Sequence, residues 1–470
     1  MTAPRPVVEP NTWDFLREPM IAPTGFREYD ARWKYPDDIN LPGVTALGLG
    51  LGTQMFERGL RPEIAIGNDY RDYSLAIKNA LILGLLQAGV TVKDIGPALS
   101  PMAYFSQFLL DAPAVAMVTA SHNPNGWTGV KMGFERPLTH GPEDMARLRD
   151  IVLAGAGVAR DGGRYDRIDG VRAAYIDDLV GDFRMSRPLR VVCATGNGTA
   201  GAFAPEVLER IGVEVIPSHN RLDYTFPNYN PNPEALEMLH DMAETVGRHG
   251  ADLALGFDGD GDRCGVVDNE GEEIFADKMG VILARDLVKL YPGATFVTDV
   301  KSTGLFASDP ALIAAGAKAD YWKTGHSHMK RRVKELGALA GHERGRLPRP
   351  TADRVGRIPL SVRVDRQQVV SKAVGCEERV WLAEHESDSQ VVDDLARRNV
   401  HVSQEWSRGG QRLRVDHPNE AGQHVGRSDG LPVVELQSLA EPHNDRGRRL
   451  HHPYAALGLC GAARGTPGQP

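Results

Sequence analysis

Three times along the chain a largely apolar run that reads as a strand ends in a polar or glycine-rich turn, passes into a helical stretch and returns to a second strand. IAIGND (64–69), LAIKNALILGLLQAG (75–89) and VTVKDIG (90–96) form the first set. RVVCATGNGTAG (190–201), the helical stretch around APEVLERIG (204–212) and VEVIP (213–217) form the second. TFVTDVKSTG (295–304), PALIAAG (310–316) and KADYWKTG (318–325) form the third. Short apolar runs bounded by turns, alternating with helical periodicity, predict strand–helix–strand units of a sheet covered on both faces. Three such units at intervals of roughly a hundred residues predict three similar α/β domains.

Two stretches add chemistry to this pattern. In VTASHNPNGWTGVKMG (118–133), Ser121 follows the apolar strand AVAMV (114–118). The end of a strand in an α/β sheet is where ligands collect. A free serine is a weak nucleophile, but a phosphoserine is a phosphoryl donor carrying about two negative charges, which Lys131 can offset. The alternative is a Ser-x-Asn-Pro turn whose hydroxyl caps its own backbone. In GFDGDGDRCGVVDNEGEEI (256–274), Asp258, Asp260 and Asp262 alternate with glycines between the apolar flanks DLALGF and CGVV. Carboxylates at this spacing converge on a hard cation. The alternative is a solvated acidic turn. An EF-hand loop is excluded, because its sixth position would be Arg263 and its twelfth Asn269. Arg263 can fork onto a phosphate that shares the cation.

The chain of 470 residues is 41% hydrophobic with a net charge of −8. That length suits several domains, and the charge offers nothing to nucleic acid or a membrane. No signal peptide or membrane span is expected. The four cysteines are scattered without metal or disulfide spacing, so a reducing cytoplasm is the expected location.

TASHNP with its following lysine, and DGDGDR with its apolar flanks, resemble the α-D-phosphohexomutase family of phosphomannomutase/phosphoglucomutase enzymes. FREYDAR (26–32) resembles that family's N-terminal F-R-x-Y-D-I-R motif. GNDYR (67–71) stands where the family has G-R-D-x-R, with Asn68 departing and Arg71 agreeing. DVKSTG (299–304), WKTGHS (322–327) and AGHE (340–343) resemble sugar-facing segments of its third domain. The resemblance implies three α/β domains with mixed or parallel sheets around a central cleft, at 1–160, 161–270 and 271–344. It implies Ser121 as phosphoserine, with Asp258, Asp260 and Asp262 holding one Mg²⁺ together with the Ser121 phosphate. Lys131 and Arg263 would bracket the phosphoryl group, and Lys131 or a neighbour would move the hydroxyl proton. Tyr29, Arg32, Lys301, His326 and Glu343 would bind the sugar. The implied reaction moves phosphate between C1 and C6 of mannose or glucose phosphates through a hexose 1,6-bisphosphate, in a monomer or weak homodimer.

After Glu343 the chain departs from the family pattern. Residues 345–470 contain no Phe, one Ile, one Lys and 17 Arg, and hold seven of the 15 His. So few large apolar residues predict little packed core, and no sustained strand or helix period is visible. The family's fourth, α+β domain with its phosphate loop is not recognisable. A shifted frame from Val433 to Glu441 can encode Ser-Ser-Ser-Ser-Asn-x-x-Pro-Asn, which resembles that loop. The expectation is a reading-frame slip near residue 344 and a poorly ordered tail. The alternative function is a weakly active or non-catalytic sugar-phosphate or metal-binding remnant with no fourth wall to its cleft.

Overall fold

The computed structural model describes residues 2–343, 346–350, 401–407 and 410–416. The chain divides into two units, Met1–Asp394 and Leu395–Pro470. Most of the 345–470 tail, and with it the expected frame slip, lies outside the described residues.

The first sheet has six strands: β1 (Ala31–Lys34), β2 (Glu63–Asn68), β3 (Thr91–Pro97), β4 (Ala114–Val118), β5 (Trp127–Gly133) and β6 (Arg164–Arg167). Their order is β1-β5-β4-β2-β3-β6. β4, β2, β3 and β6 are parallel, while β5 runs antiparallel to both β4 and β1. β4 is buried along its whole length, which explains its unbroken apolar sequence. The helices Leu41–Glu57 and Ser74–Gln87 pack closely through glycines. A Cβ on Gly48 would lie 2.2 Å from the Leu81 carbonyl oxygen, and one on Gly84 would lie 2.0 Å from that of Thr45.

The second sheet contains β7 (Arg190–Ala194), β8 (Glu214–Ser218), β9 (Leu253–Phe257), β10 (Cys264–Asp268) and β11 (Glu273–Ile274), in the order β11-β10-β9-β7-β8. β7, β8 and β9 are parallel, and β9–β10 is an antiparallel hairpin. The third sheet contains β12 (Thr295–Asp299), β13 (Lys318–Trp322), β14 (Ala340–Glu343) and β15 (Arg346–Pro350), in the order β13-β12-β14-β15. β15 pairs antiparallel with β14, so the third sheet continues past residue 344, where the sequence changes character. Backbone pairing does not depend on the side-chain bias that marks that change. In the second unit, β16 (His401–Ser407) and β17 (Gly410–Asp416) form an antiparallel hairpin. The sequence reading missed it, because HVSQEWS has only Val402 and Trp406 as large apolar residues, four positions apart, and so shows no strand alternation.

One apolar core runs continuously from the first sheet to the second. It joins Ile95, Met102 and Met117 to Tyr175, Val191 and Leu255. The helix Val171–Val180 contributes Tyr175, whose ring packs 5.5 Å from that of Phe105. Close-packed interiors resist relative movement, so loops at the strand ends of both sheets are held in a fixed relation. Among the described residues no helix is long and apolar enough to cross a membrane.

Candidate active site

Ser121 lies three residues beyond β4, buried, with φ of +54°. A non-glycine residue in this left-handed region is strained and needs its surroundings to hold it. Those surroundings come from β2 and the turn after it. Asp69 Oδ2 accepts from Thr119 Oγ1 at 2.8 Å, and Thr119 Oγ1 accepts the Ser121 N–H at 2.8 Å. Arg71 Nη2 donates to the carbonyls of Ser121 at 2.9 Å and Asn123 at 2.7 Å. The GNDYR segment is therefore the cradle of the serine turn. The segment after β8 also reaches the turn, where Asn230 Nδ2 donates to the His122 carbonyl at 2.5 Å.

The Ser121 hydroxyl does not cap its own backbone. Its Oγ donates to Asp258 Oδ2 at 2.8 Å, across the junction of the first two sheets. Asp258 directly follows β9, and the loop turns back into β10 at Cys264. Asp258 Oδ1 accepts the backbone N–H groups of Asp262 at 2.9 Å and Arg263 at 3.0 Å, which locks the loop onto itself. The glycines have separate reasons. A Cβ on Gly259 would lie 2.5 Å from the Ser121 carbonyl oxygen, and Gly261 has φ of +69°. Without a side chain at 259, the acidic loop and the serine turn can touch.

Asp258 and Asp260 are wholly buried and Asp262 is 8% exposed, so this is no solvated turn. The three carboxylates offer ligand atoms within 4.8 Å of one another. Lys131, on β5, reaches Asp260 Oδ2 at 2.7 Å and Asp262 Oδ2 at 2.6 Å. Burial, then the negative charge of Asp260 and Asp262, pushes the Asp258 carboxyl well above the usual range. Burial works in the same direction on Asp260, but the Lys131 ammonium and the Ser100 hydroxyl outweigh it and leave that carboxyl below its ordinary value. Asp260 Oδ1 is buried without a hydrogen-bond partner. A cluster of buried carboxylates with an unsatisfied oxygen fits a hard divalent cation.

In front of these groups is a cavity of about 260 Å³, lined by Arg27, Glu28, Tyr29, Asp30, Arg32, Ser121, His122, Asn123, Lys131, Arg263 and His326. Arg32, on β1, donates to the Thr119 carbonyl at 2.7 Å and pairs with Asp30 at 3.0 Å. Arg263 reaches Glu234 at 3.1 Å. The His122 imidazole is pushed down to about 3 by burial and then by the Arg263 charge, so it is neutral. His326 begins the helix His326–Leu336 after β13. Its Nδ1 lies 3.1 Å from Thr139 Oγ1, and its ring meets Tyr29 edge-on at 4.7 Å.

Ser121, Lys131, Arg263, Tyr29, Arg32 and His326 thus share one cavity, with the three aspartates behind it. Lys301 does not join them. It is exposed on the loop after β12 and is absent from the cavity lining. Glu343 ends β14 in register with Arg346, and its side chain lies outside the described part of the structure. The sequence reading missed Ser100, Asp69, Thr119 and Glu28. Asp69, Thr119 and Glu28 stand inside motifs that were noticed, but Ser100 carries no local signal. It also missed His328, whose Nε2 lies 2.8 Å from Glu28 Oε1.

Family models of phosphoglucomutase/phosphomannomutase α/β/α domains I, II and III match residues 23–156, 173–271 and 275–345. The chain belongs to the phosphoglucomutase/phosphomannomutase family. The phosphomannomutase/phosphoglucomutase of Pseudomonas putida is 34% identical over 318 residues, 68% of this chain and 67% of its own length. The phosphomannomutase of Salmonella typhimurium is 36% identical over 338 residues, covering 68% of this chain and 71% of its own. The crystal structure of a phosphoglucomutase/phosphomannomutase family protein from Burkholderia thailandensis superposes with a TM-score of 0.68 at 27% identity, over 85% of this chain and 89% of that one. The family assignment and the three α/β sheets agree with the expectation drawn from the paired motifs.

Proposed function

We propose that this chain is a phosphohexomutase that moves a phosphoryl group between C1 and C6 of mannose or glucose phosphates through Ser121. The observation that carries the proposal is the bond from Ser121 Oγ to Asp258 Oδ2, with Lys131 bound to the neighbouring carboxylates of the same loop. The double name of the Pseudomonas putida relative supports both hexoses as substrates. One Mg²⁺ per chain, held by Asp258, Asp260, Asp262 and the Ser121 phosphate, would neutralise charge on the transferring group.

The remaining work falls to side chains of the cavity. Ser121 carries the phosphoryl group at a turn held by Thr119, Asp69 and Arg71. A hydroxyl of the hexose phosphate forms a new O–P bond as the Ser121 Oγ–P bond breaks, and the hydroxyl proton ends on Ser121 Oγ. Phosphoryl transfer depends chiefly on positioning and charge. Lys131 acts as the cation here and not as the base, because two carboxylates hold its ammonium. Arg263 and Arg32 supply further positive charge along the cavity. Tyr29 and His326 give the sugar a wall of two rings set edge to face. The bisphosphate then turns over and returns its other phosphate to Ser121. A hexose 1,6-bisphosphate serves as activator by phosphorylating free Ser121.

The remnant reading has no observation in its favour, since Ser121, Lys131 and the three aspartates are assembled in one buried cluster. The deciding experiment is phosphoryl labelling by a hexose 1,6-bisphosphate. The unmutated chain should take up one phosphoryl group and Ser121→Ala none, with mutase turnover lowered by more than about 10³-fold. Label retained by the variant would remove Ser121 from its proposed role.

A further inference from the structure

Besides Lys131 on β5, a second residue holds Asp260 from the first sheet's side, Ser100. Ser100 opens the helix Ser100–Leu109, which follows β3, and it is fully buried. Its Oγ donates to Asp260 Oδ2 at 2.7 Å, and its N–H donates to the Asp260 carbonyl at 3.0 Å. One residue thus holds both the side chain and the backbone of a loop residue 160 positions away. The contact is reinforced next door, where a Cβ on Gly261 would lie 2.9 Å from Leu99 Cδ2. With Oδ2 occupied by Ser100 and Lys131, the oxygen left buried and unpartnered is Oδ1.

We infer that Ser100 is a positioning residue for the metal site, fixing the rotation of the Asp260 carboxylate so that Oδ1 is the oxygen offered to the cation. The inference rests on the metal-binding part of the proposed function. Outer partners that orient a ligating carboxylate set its metal affinity. Lys131 reaches the same oxygen, but its charge opposes a divalent cation and is wanted at the phosphoryl group. A neutral hydroxyl has neither conflict. Its hold on Oδ2 survives both arrival of the cation and movement of Lys131. Because Ser100 belongs to the first sheet's domain and Asp260 to the second's, the bond also ties the metal loop to the domain that carries Ser121.

The test is Mn²⁺ binding to the full chain, read from the paramagnetic resonance signal of free Mn²⁺ and with no turnover required. Ser100→Ala should raise the Mn²⁺ Kd by about 10–100-fold, and Ser100→Thr, which keeps the hydroxyl, should stay within about threefold of the unmutated chain. A Ser100→Ala protein with unchanged circular dichroism and an unchanged Kd overturns the inference. Equal weakening in Ser100→Thr also overturns it, since packing and not the hydroxyl would then be the cause. If the unmutated chain binds Mn²⁺ no better than Asp260→Asn, the metal reading fails and takes the inference with it.

Discussion

The two ends of the cavity are built differently. At the phosphoryl end, Ser121, Lys131 and the three aspartates are buried, and each is bonded across the junction of the first two sheets or within one tight loop. At the proposed sugar end, Tyr29 and His326 meet through ring edges and the Glu28 side chain is 56% exposed, while Lys301 stands in solvent outside the cavity. The phosphoryl end therefore has low local dielectric and fixed geometry, where charge interactions are strongest. The proposed sugar end mixes buried His326 with half-buried Tyr29 and exposed Glu28 next to water. The contrast matches the two tasks of the proposed reaction. Phosphoryl transfer needs charges already in place, whereas a bisphosphate that must turn over needs walls that release it.

The largest effect that would break this contrast is expected at Lys131. Lys131→Met leaves Asp260 and Asp262 buried beside each other without that cation, which should cost about 3–5 kcal/mol of folding stability in EDTA. Urea unfolding with and without Mg²⁺ checks it. Mg²⁺ should restore much of the loss, and a loss below about 1 kcal/mol would show that the cluster does not depend on Lys131 for charge balance. A smaller effect should follow Gly259→Ala. The added Cβ meets the Ser121 carbonyl, so the acidic loop must retreat from the serine turn. Stability should fall by about 1–3 kcal/mol, and labelling by a hexose bisphosphate should slow. Unchanged labelling would mean that the loop contact is not needed for transfer.

The sugar end should respond more mildly. Tyr29→Ala removes the ring against His326 and should lower kcat/KM by about 10–100-fold, while Lys301→Ala should lower it by less than about tenfold, chiefly through KM. Steady-state kinetics separates the two. A larger loss at Lys301 than at Tyr29 would mean that its loop moves onto the substrate, and that the sugar end closes during the reaction.

Much of this organisation is legible along the chain. Apolar runs mark β2, β4, β7, β9 and β12, because strands buried on both faces have no room for polar residues. The serine turn and acidic loop stand out because each concentrates its chemistry within a few consecutive residues. The hairpin β9–β10, with Cys264 in register with Phe257, follows directly from the apolar flanks of the DGDGD loop. The pairing β14–β15 does not, because a change in composition hides a backbone register that composition does not control.

By itself, then, the sequence determined the strands that carry apolar runs, the residue types at their ends, and which family the chain belongs to. Only the tertiary structure decided that Ser121 donates to Asp258, 137 residues away, that Ser100 holds Asp260, and that Lys131 lies between two carboxylates while Lys301 stays outside. The physical reason is range. Strand and turn preferences act between neighbours, where the sequence is also local. A buried polar group must find its partner wherever the packed core brings one, and that partner leaves no mark in its own stretch of chain.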